Sequence, residues 1–181
     1  MSPDARNTHH GAPGGAHMKT LVAVASKHGS TMEIGQRIAA ILRESELDVE
    51  VQSIEQVHSI AGYDAAIIGS GVYMGRWLGA GRDFVEEHSS ALSRMPTWMF
   101  SSGPITDKVD PADAADGLRL LEAAHGREHR LFAGRLDKDS LGLMERTIVR
   151  MVHPVYGDYR PWAEIDEWAR LIATELAAVP A

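Results

Sequence analysis

The sequence predicts an α/β fold: a doubly wound, five-stranded parallel sheet of order 2-1-3-4-5, with helices on both faces. Three observations predict it. Short, continuously apolar runs recur, as at residues 21–25 and 65–68, and such runs suit strands covered on both sides. Between them lie stretches whose apolar residues return every three or four positions, beginning with Ile34, Ile38, Ile41 and Leu42. Strand and helix patterns alternate five times, as expected of parallel strands joined by crossover helices.

Bulk composition narrows the class of function. The 181 residues suit one domain with a sizeable core, and 44% hydrophobic with 24% charged residues is ordinary globular usage. A net charge of −7 argues against a nucleic-acid binder, which would carry a basic face. The chain has no cysteine, so disulfides, thiolate catalysis and cysteine-held metal or iron–sulfur centres are excluded. No apolar run approaches the roughly 20 residues that span a bilayer.

Residues 1–17 are rich in Gly, Pro, Ala and His without periodicity, and are expected to be a disordered tail. The domain is expected from Met18 to Ala181. Its first strand lies within residues 20–25, and the first helix follows Thr31. Val49 and Val51 alternate within residues 48–54, an expected edge strand. Residues 65–70 read as a central strand and 78–88 as a helix with Phe84 and Val85 facing inward. Residues 97–102 read as a buried strand, followed by a helix through Leu118, Leu120 and Leu121. Residues 130–135 are the expected last strand. Residues 140–152 and 161–178 are expected helices, the latter with Pro161 in its first turn.

Three loops follow strands, and the expected strand order gathers them at one edge, where ligands bind in such sheets. In the first, the chain turns from a strand into a helix N-terminus, whose amides and dipole favour an anion, usually phosphate. Ser26, Ser30 and Thr31 add hydroxyl donors, and Gly29 allows close backbone approach. The same residues also make good helix caps, so the loop alone is compatible with a junction that binds nothing. The patterns G-x-x-x-x-G-K-S/T and G-x-G-x-x-G are absent after this strand, which removes the main support for nucleoside triphosphates and dinucleotides. The second loop, Gly69-Ser-Gly-Val-Tyr-Met-Gly-Arg-Trp77, holds Tyr73 and Trp77 as candidate platforms for a planar ring, or as ordinary core and surface aromatics. The third, Ser101-Ser-Gly-Pro-Ile-Thr-Asp107, could serve a ring's polar edge. A phosphate beside a planar heterocycle with a hydrogen-bonding edge describes flavin mononucleotide, FMN, better than a sugar phosphate.

Ser26-Lys-His-Gly-Ser-Thr31 after an apolar strand resembles the phosphate loop of flavodoxins, and the later loop spacings resemble that family nearly throughout from Met18. Within it, the chain is most similar to the flavodoxin-like menaquinone-dependent protoporphyrinogen oxidases. The shared stretches are Met18-Lys-Thr-Leu, Ile67-Ile-Gly-Ser-Gly-Val-Tyr-Met-Gly75, Asp83-Phe-Val-Glu-Glu-His88, Met95-Pro96, Phe132-Ala-Gly-Arg-Leu136 and Trp168-Ala169, with a helix-bearing insertion at residues 137–159. His28 departs from the threonine or aspartate usual there.

The resemblance implies a cytoplasmic FMN oxidoreductase of the quinone-linked dehydrogenase type, passing electrons from an organic donor such as protoporphyrinogen to a quinone. The alternative is a flavodoxin-type carrier without a substrate of its own, serving a redox partner protein; a colourless binding module of the same fold is a third reading. The expected cofactor contacts are Ser26, Lys27, His28, Gly29, Ser30 and Thr31 from the first loop. The second supplies Ser70, Gly71, Val72, Tyr73, Met74, Gly75, Arg76 and Trp77, and the third Ser101, Ser102, Gly103 and Pro104. A deazaflavin stays open beside FMN. Because the flavin carries the redox step, no acid, base or nucleophile is required and no metal is expected. Arg76 is a candidate cation near the ring, and His28 a candidate phosphate partner or proton relay. Leu141, Met144, Ile148 and Met151 form one stripe of the inserted helix, read either as packing on the domain or, with Arg146 and Arg150, as peripheral contact with the inner face of a membrane.

Overall fold

The computed structural model describes residues 18–103, 111–136 and 157–179. The tail at 1–17, Pro104 with the rest of the third loop, and the expected helix at 140–152 lie outside them.

Five strands form the parallel sheet: β1 (Lys19–Ala25), β2 (Asp48–Ser53), β3 (Ala65–Tyr73), β5 (Thr97–Ser102) and β6 (Glu128–Phe132), in the order β2-β1-β3-β5-β6. The short β4 (Arg76–Trp77) pairs antiparallel with the end of β3 and stands off that path. Counting the five parallel strands alone, the order is the expected 2-1-3-4-5. Helices α1 (Ser30–Glu44) and α4 (Trp162–Ala177) share one face, and α2 (Gly79–Leu92) and α3 (Ala115–Ala123) the other.

Alternation along the strands explains this layering, because successive side chains of a strand point to opposite faces. Val22 and Val24 of β1 pack with Ile34, Ile38 and Leu42 of α1 and with Ile165, Trp168 and Ile172 of α4. Leu21, Ala23 and Ala25 pack on the other side with Phe84, Val85 and Leu92 of α2 and Leu120 of α3. Phe100, Phe132 and Trp168 meet edge-on and tilted, with ring centroids 5.7 to 6.3 Å apart. Trp168 meets its polar need by donating Nε1–H to Glu128 Oε2 at 2.8 Å. Beside Phe100 the sheet requires a residue without a side chain: a Cβ on Gly69 would stand 2.1 Å from Phe100 Cζ.

Register sets where the loops leave. Ala25 pairs with Ser70, Ser70 with Ser101, and Ser101 with Leu131, so the carboxyl ends of four strands form one row.

Of the boundaries that differ from expectation, two shape the loop edge. β3 runs on to Tyr73 and folds back through β4, because Met74 at φ 52° and Gly75 at φ 72° form the left-handed pair that hairpin turns favour. The expected strand 130–135 ends at Phe132. After it the chain leaves the sheet at Gly134, whose C=O accepts from Tyr159 N–H at 3.1 Å. Arg135–Leu136 (β7) then pairs antiparallel with Gly157–Asp158 (β8). Among the described residues, no helix is long and apolar enough to cross a membrane.

Candidate functional site

The row of strand ends delivers the three predicted loops to one edge, with the stretch after β6 as a fourth member. At the first loop, Gly29 sits immediately before α1 at φ 81°, a left-handed conformation that L side chains rarely adopt. A Cβ there would meet nothing within 4 Å, so glycine is required by the backbone turn and not by crowding. Gly29 C=O accepts the first helical bond, from Glu33 N–H at 3.0 Å, and no side chain caps the helix. The amides of the first turn therefore face the loop mouth with the positive end of the helix dipole behind them. Ser26, His28 and Ser30 are half-buried around this mouth, Lys27 is exposed and Thr31 is buried.

The second loop lies against the first. Thr31 Oγ1 would be 3.3 Å from a Cβ on Gly71, so the absent side chain leaves the hydroxyl its place. Lys27 Nζ stands 5.5 Å from the centre of the Tyr73 ring. Val72 is half-buried, Tyr73 and Arg76 are exposed, and Met74 and Gly75 form the hairpin tip, with Met74 fully exposed.

Three of the expected contacts face inward instead. Ser70 is fully buried; its Oγ donates to Gly71 C=O at 3.0 Å and accepts Leu78 N–H at 3.1 Å, pinning the entry to α2. Trp77 is 2% exposed and packs in the core on the α2 and α3 face. Its indole N–H donates to Ser101 Oγ at 2.7 Å and its backbone N–H to Asp116 Oδ2 at 2.9 Å. Trp77 and Ser101 thus brace the hairpin from behind, while Tyr73 presents a ring to solvent. Ser102 and Gly103 open the third loop at the same edge. Gly103 N–H donates to Phe132 C=O at 3.0 Å, and a Cβ on Gly134 would come within 3.4 Å of Gly103 Cα.

Two groups here were not anticipated. His129 on β6 stands 2.8 Å from Ser101 Oγ, under the close approach of Gly117, where a Cβ would be 2.3 Å from Nε2. Burial pushes its pKa down from 6.5 to about 4, so the ring is neutral near pH 7. Trp77 occupies the serine oxygen as an acceptor, leaving the Ser101 O–H to donate to an unprotonated His129 Nε2.

The second group is an ion cluster on the opposite flank of the first loop. Arg160, with a side chain 2% exposed, forks onto Asp158 at 2.6 and 2.8 Å, reaches Glu33 Oε2 at 2.7 Å and donates to Ser30 C=O at 3.2 Å. Arg135 Nη1 meets the same Glu33 oxygen at 3.1 Å. The Arg160 guanidinium, by its hydrogen bonds, holds the Asp158 carboxyl below the usual carboxylate range. Arg135 was visible only as a motif residue; separations of 102 and 127 residues from Glu33 leave no local spacing to reveal the cluster.

A separate cavity of about 1020 Å³ lies at the other end of the sheet, lined by Met18, Asp64 and Pro96, which precede β1, β3 and β5. It is remote from the loops and has no share in their chemistry. Among the described residues, no cluster of His, Asp or Glu is arranged to hold a metal. The loop edge offers amides, hydroxyls and a lysine to a phosphoryl anion. Gly71, Gly103 and Gly134 give close backbone approach, and Tyr73 offers an aromatic face. That donor set fits a ligand with a phosphoryl end and a flat end.

Comparison with known proteins adds relatives to this geometry. The family model described as flavodoxin domain matches residues 21–160. The protoporphyrinogen IX dehydrogenase (quinone) of Escherichia coli strain K12 is 24% identical over 172 residues, covering 86% of this chain and 95% of that protein. A protein of the same name from Leishmania major is 25% identical over 179 residues, covering 90% of this chain and 76% of that one. Among solved structures, a flavodoxin from the domain Archaea shares the fold with a TM-score of 0.60 at 15% identity, over 88% of this chain and 99% of that chain.

Proposed function

The chain belongs to the flavodoxin domain family, and from that premise we propose that it is an FMN-binding oxidoreductase carrying electrons from an organic donor of the protoporphyrinogen kind to a quinone. One observation carries the cofactor half of this reading: an uncapped helix N-terminus behind left-handed Gly29, with Thr31 Oγ1 against Gly71, at the edge where four strands end. The relatives named protoporphyrinogen IX dehydrogenase, matched over most of both chains, support the donor and acceptor.

FMN, when bound, accepts electrons singly or as hydride, which relieves the protein of supplying a nucleophile. The chain's own residues have simpler tasks. The amides and hydroxyls from Ser26 to Thr31 hold the phosphate, with Lys27 and His28 at its rim. The hairpin from Gly71 to Arg76 flanks the ring on one side, Tyr73 giving the flat contact, and Ser102, Gly103 and Pro104 meet its polar edge. Ser70, Trp77 and Ser101 hold those loops in place from the core. The helix expected at 140–152 is the proposed region of peripheral contact with quinone or membrane.

A carrier without its own substrate is the second reading, favoured by the net charge of −7, which suits docking to a basic partner. Purified protein should be yellow and release a ligand of FMN mass on heating. A colourless chain that takes up neither FMN nor a deazaflavin overturns the cofactor assignment. Oxidation of a reduced porphyrin by a quinone analogue, catalysed by the loaded protein, separates enzyme from carrier.

A further inference from the structure

Arg160 and Arg135 converge on one carboxylate, Glu33, in the first turn of α1. An acidic residue there suits the helix dipole, yet it places a negative charge beside a mouth built for an anion. Both arginines meet the same Glu33 oxygen, while Asp158 holds the other side of the Arg160 fork. Two cations thus balance two anions, and Glu33 is not left to repel an incoming phosphate. Arg160 is fixed in this role from several sides: the paired bond to Asp158, burial of its side chain, and its guanidinium lying 4.4 Å over the Trp162 ring.

The bond to Ser30 C=O has a further effect. Ser30 C=O and Thr31 N–H belong to one planar trans peptide and point in opposite directions. A donor that grips the carbonyl on the helix side therefore fixes the direction in which the Thr31 amide faces the loop mouth. We propose that Arg160, assisted by Arg135, is a positioning residue for phosphate recognition: it cancels the Glu33 charge and aims the first-turn amides, without touching the ligand. This rests on the reading that the loop holds the phosphate of FMN.

Paired titrations of the full-length apoprotein with FMN and with riboflavin, which lacks the phosphate, test it. Arg160→Gln should weaken FMN binding by about tenfold, the worth of a charge-assisted contact, while riboflavin binding changes by less than about twofold. Arg160→Lys, keeping charge but not the fork, should fall between. Glu33→Gln added to Arg160→Gln should restore part of the FMN affinity, since the uncompensated carboxylate is gone. Equal losses for FMN and riboflavin, or no loss for either, overturn the proposal. Should Arg160→Gln fail to melt cooperatively, the more exposed Arg135→Gln carries the same comparison: a selective loss of FMN supports the pair's role, and a parallel loss overturns it. If the wild-type protein binds riboflavin as well as FMN, the phosphate reading itself fails, and the arginine proposal with it.

Discussion

Gly29 separates conformational need from packing need. Its positive φ is the only obstacle to a side chain there, since a Cβ would meet open space. Gly29→Ala should therefore cost about 1 kcal/mol of backbone strain, readable as a shifted urea midpoint, and should also weaken FMN binding as the turn relaxes. His129 calls for a different measurement. Its pKa is lowered to about 4 in the folded chain against 6.5 unfolded, so between those values the unfolded chain binds the extra proton. The stabilising difference is complete above pH 6.5 and is lost as pH falls through about 4, at most about 3 kcal/mol in total. Urea unfolding from pH 7 to 4 should show a steeper fall for wild type than for His129→Gln; parallel curves would remove His129 from the account. His129 was not legible beforehand, and Ser101 was expected as a cofactor contact and not as its partner, because a lone histidine in a strand carries no periodic signal and the two lie 28 residues apart.

At the scale of elements, the apolar runs were enough to place β1, β3 and β5 and the three-to-four spacing α1, because burial on both faces writes itself into composition, while alternation placed the edge strand β2. Ends were less legible. Beyond Gly69, only Val72 and Tyr73 follow the small residues Ser70 and Gly71 in β3, too few to mark a run, yet Tyr73 and Arg76 pair across a left-handed turn, and the hairpin extends past the apolar stretch. Trp77 shows the same difficulty inside the site: its spacing within a glycine-rich loop allowed either a ring platform or a core residue, and the hairpin turned it into the core. The contact between β3 and β5 supplies the sharpest element-scale prediction. Gly69→Ala would drive a methyl into the Phe100 ring, and overpacking at a sheet centre should cost on the order of 1–3 kcal/mol. Combining it with Phe100→Leu should recover part of that loss in thermal melts, where two independent sites would simply add.

For the molecule as a whole, strand order decided the site. Four strand ends in register bring together loops that are distant in sequence, which is why the candidate edge could be named from strand pattern alone while the ion cluster around Glu33 could not. A ligand held there should stabilise the whole domain by mass action: FMN at about a hundred times its Kd should add roughly 2.7 kcal/mol, seen as a rise in Tm that riboflavin at the same concentration does not match. The β7–β8 pair has a separate consequence. It fastens Arg135–Leu136 to Gly157–Asp158, so the chain departs and returns at one point on the rim. Whatever length is spliced between those anchors, the parallel sheet inherits the same geometry, and a doubled length adds only about 0.6 kcal/mol of closure entropy. A chain of different length between those anchors should therefore leave the five parallel strands and the Gly29 turn as they are.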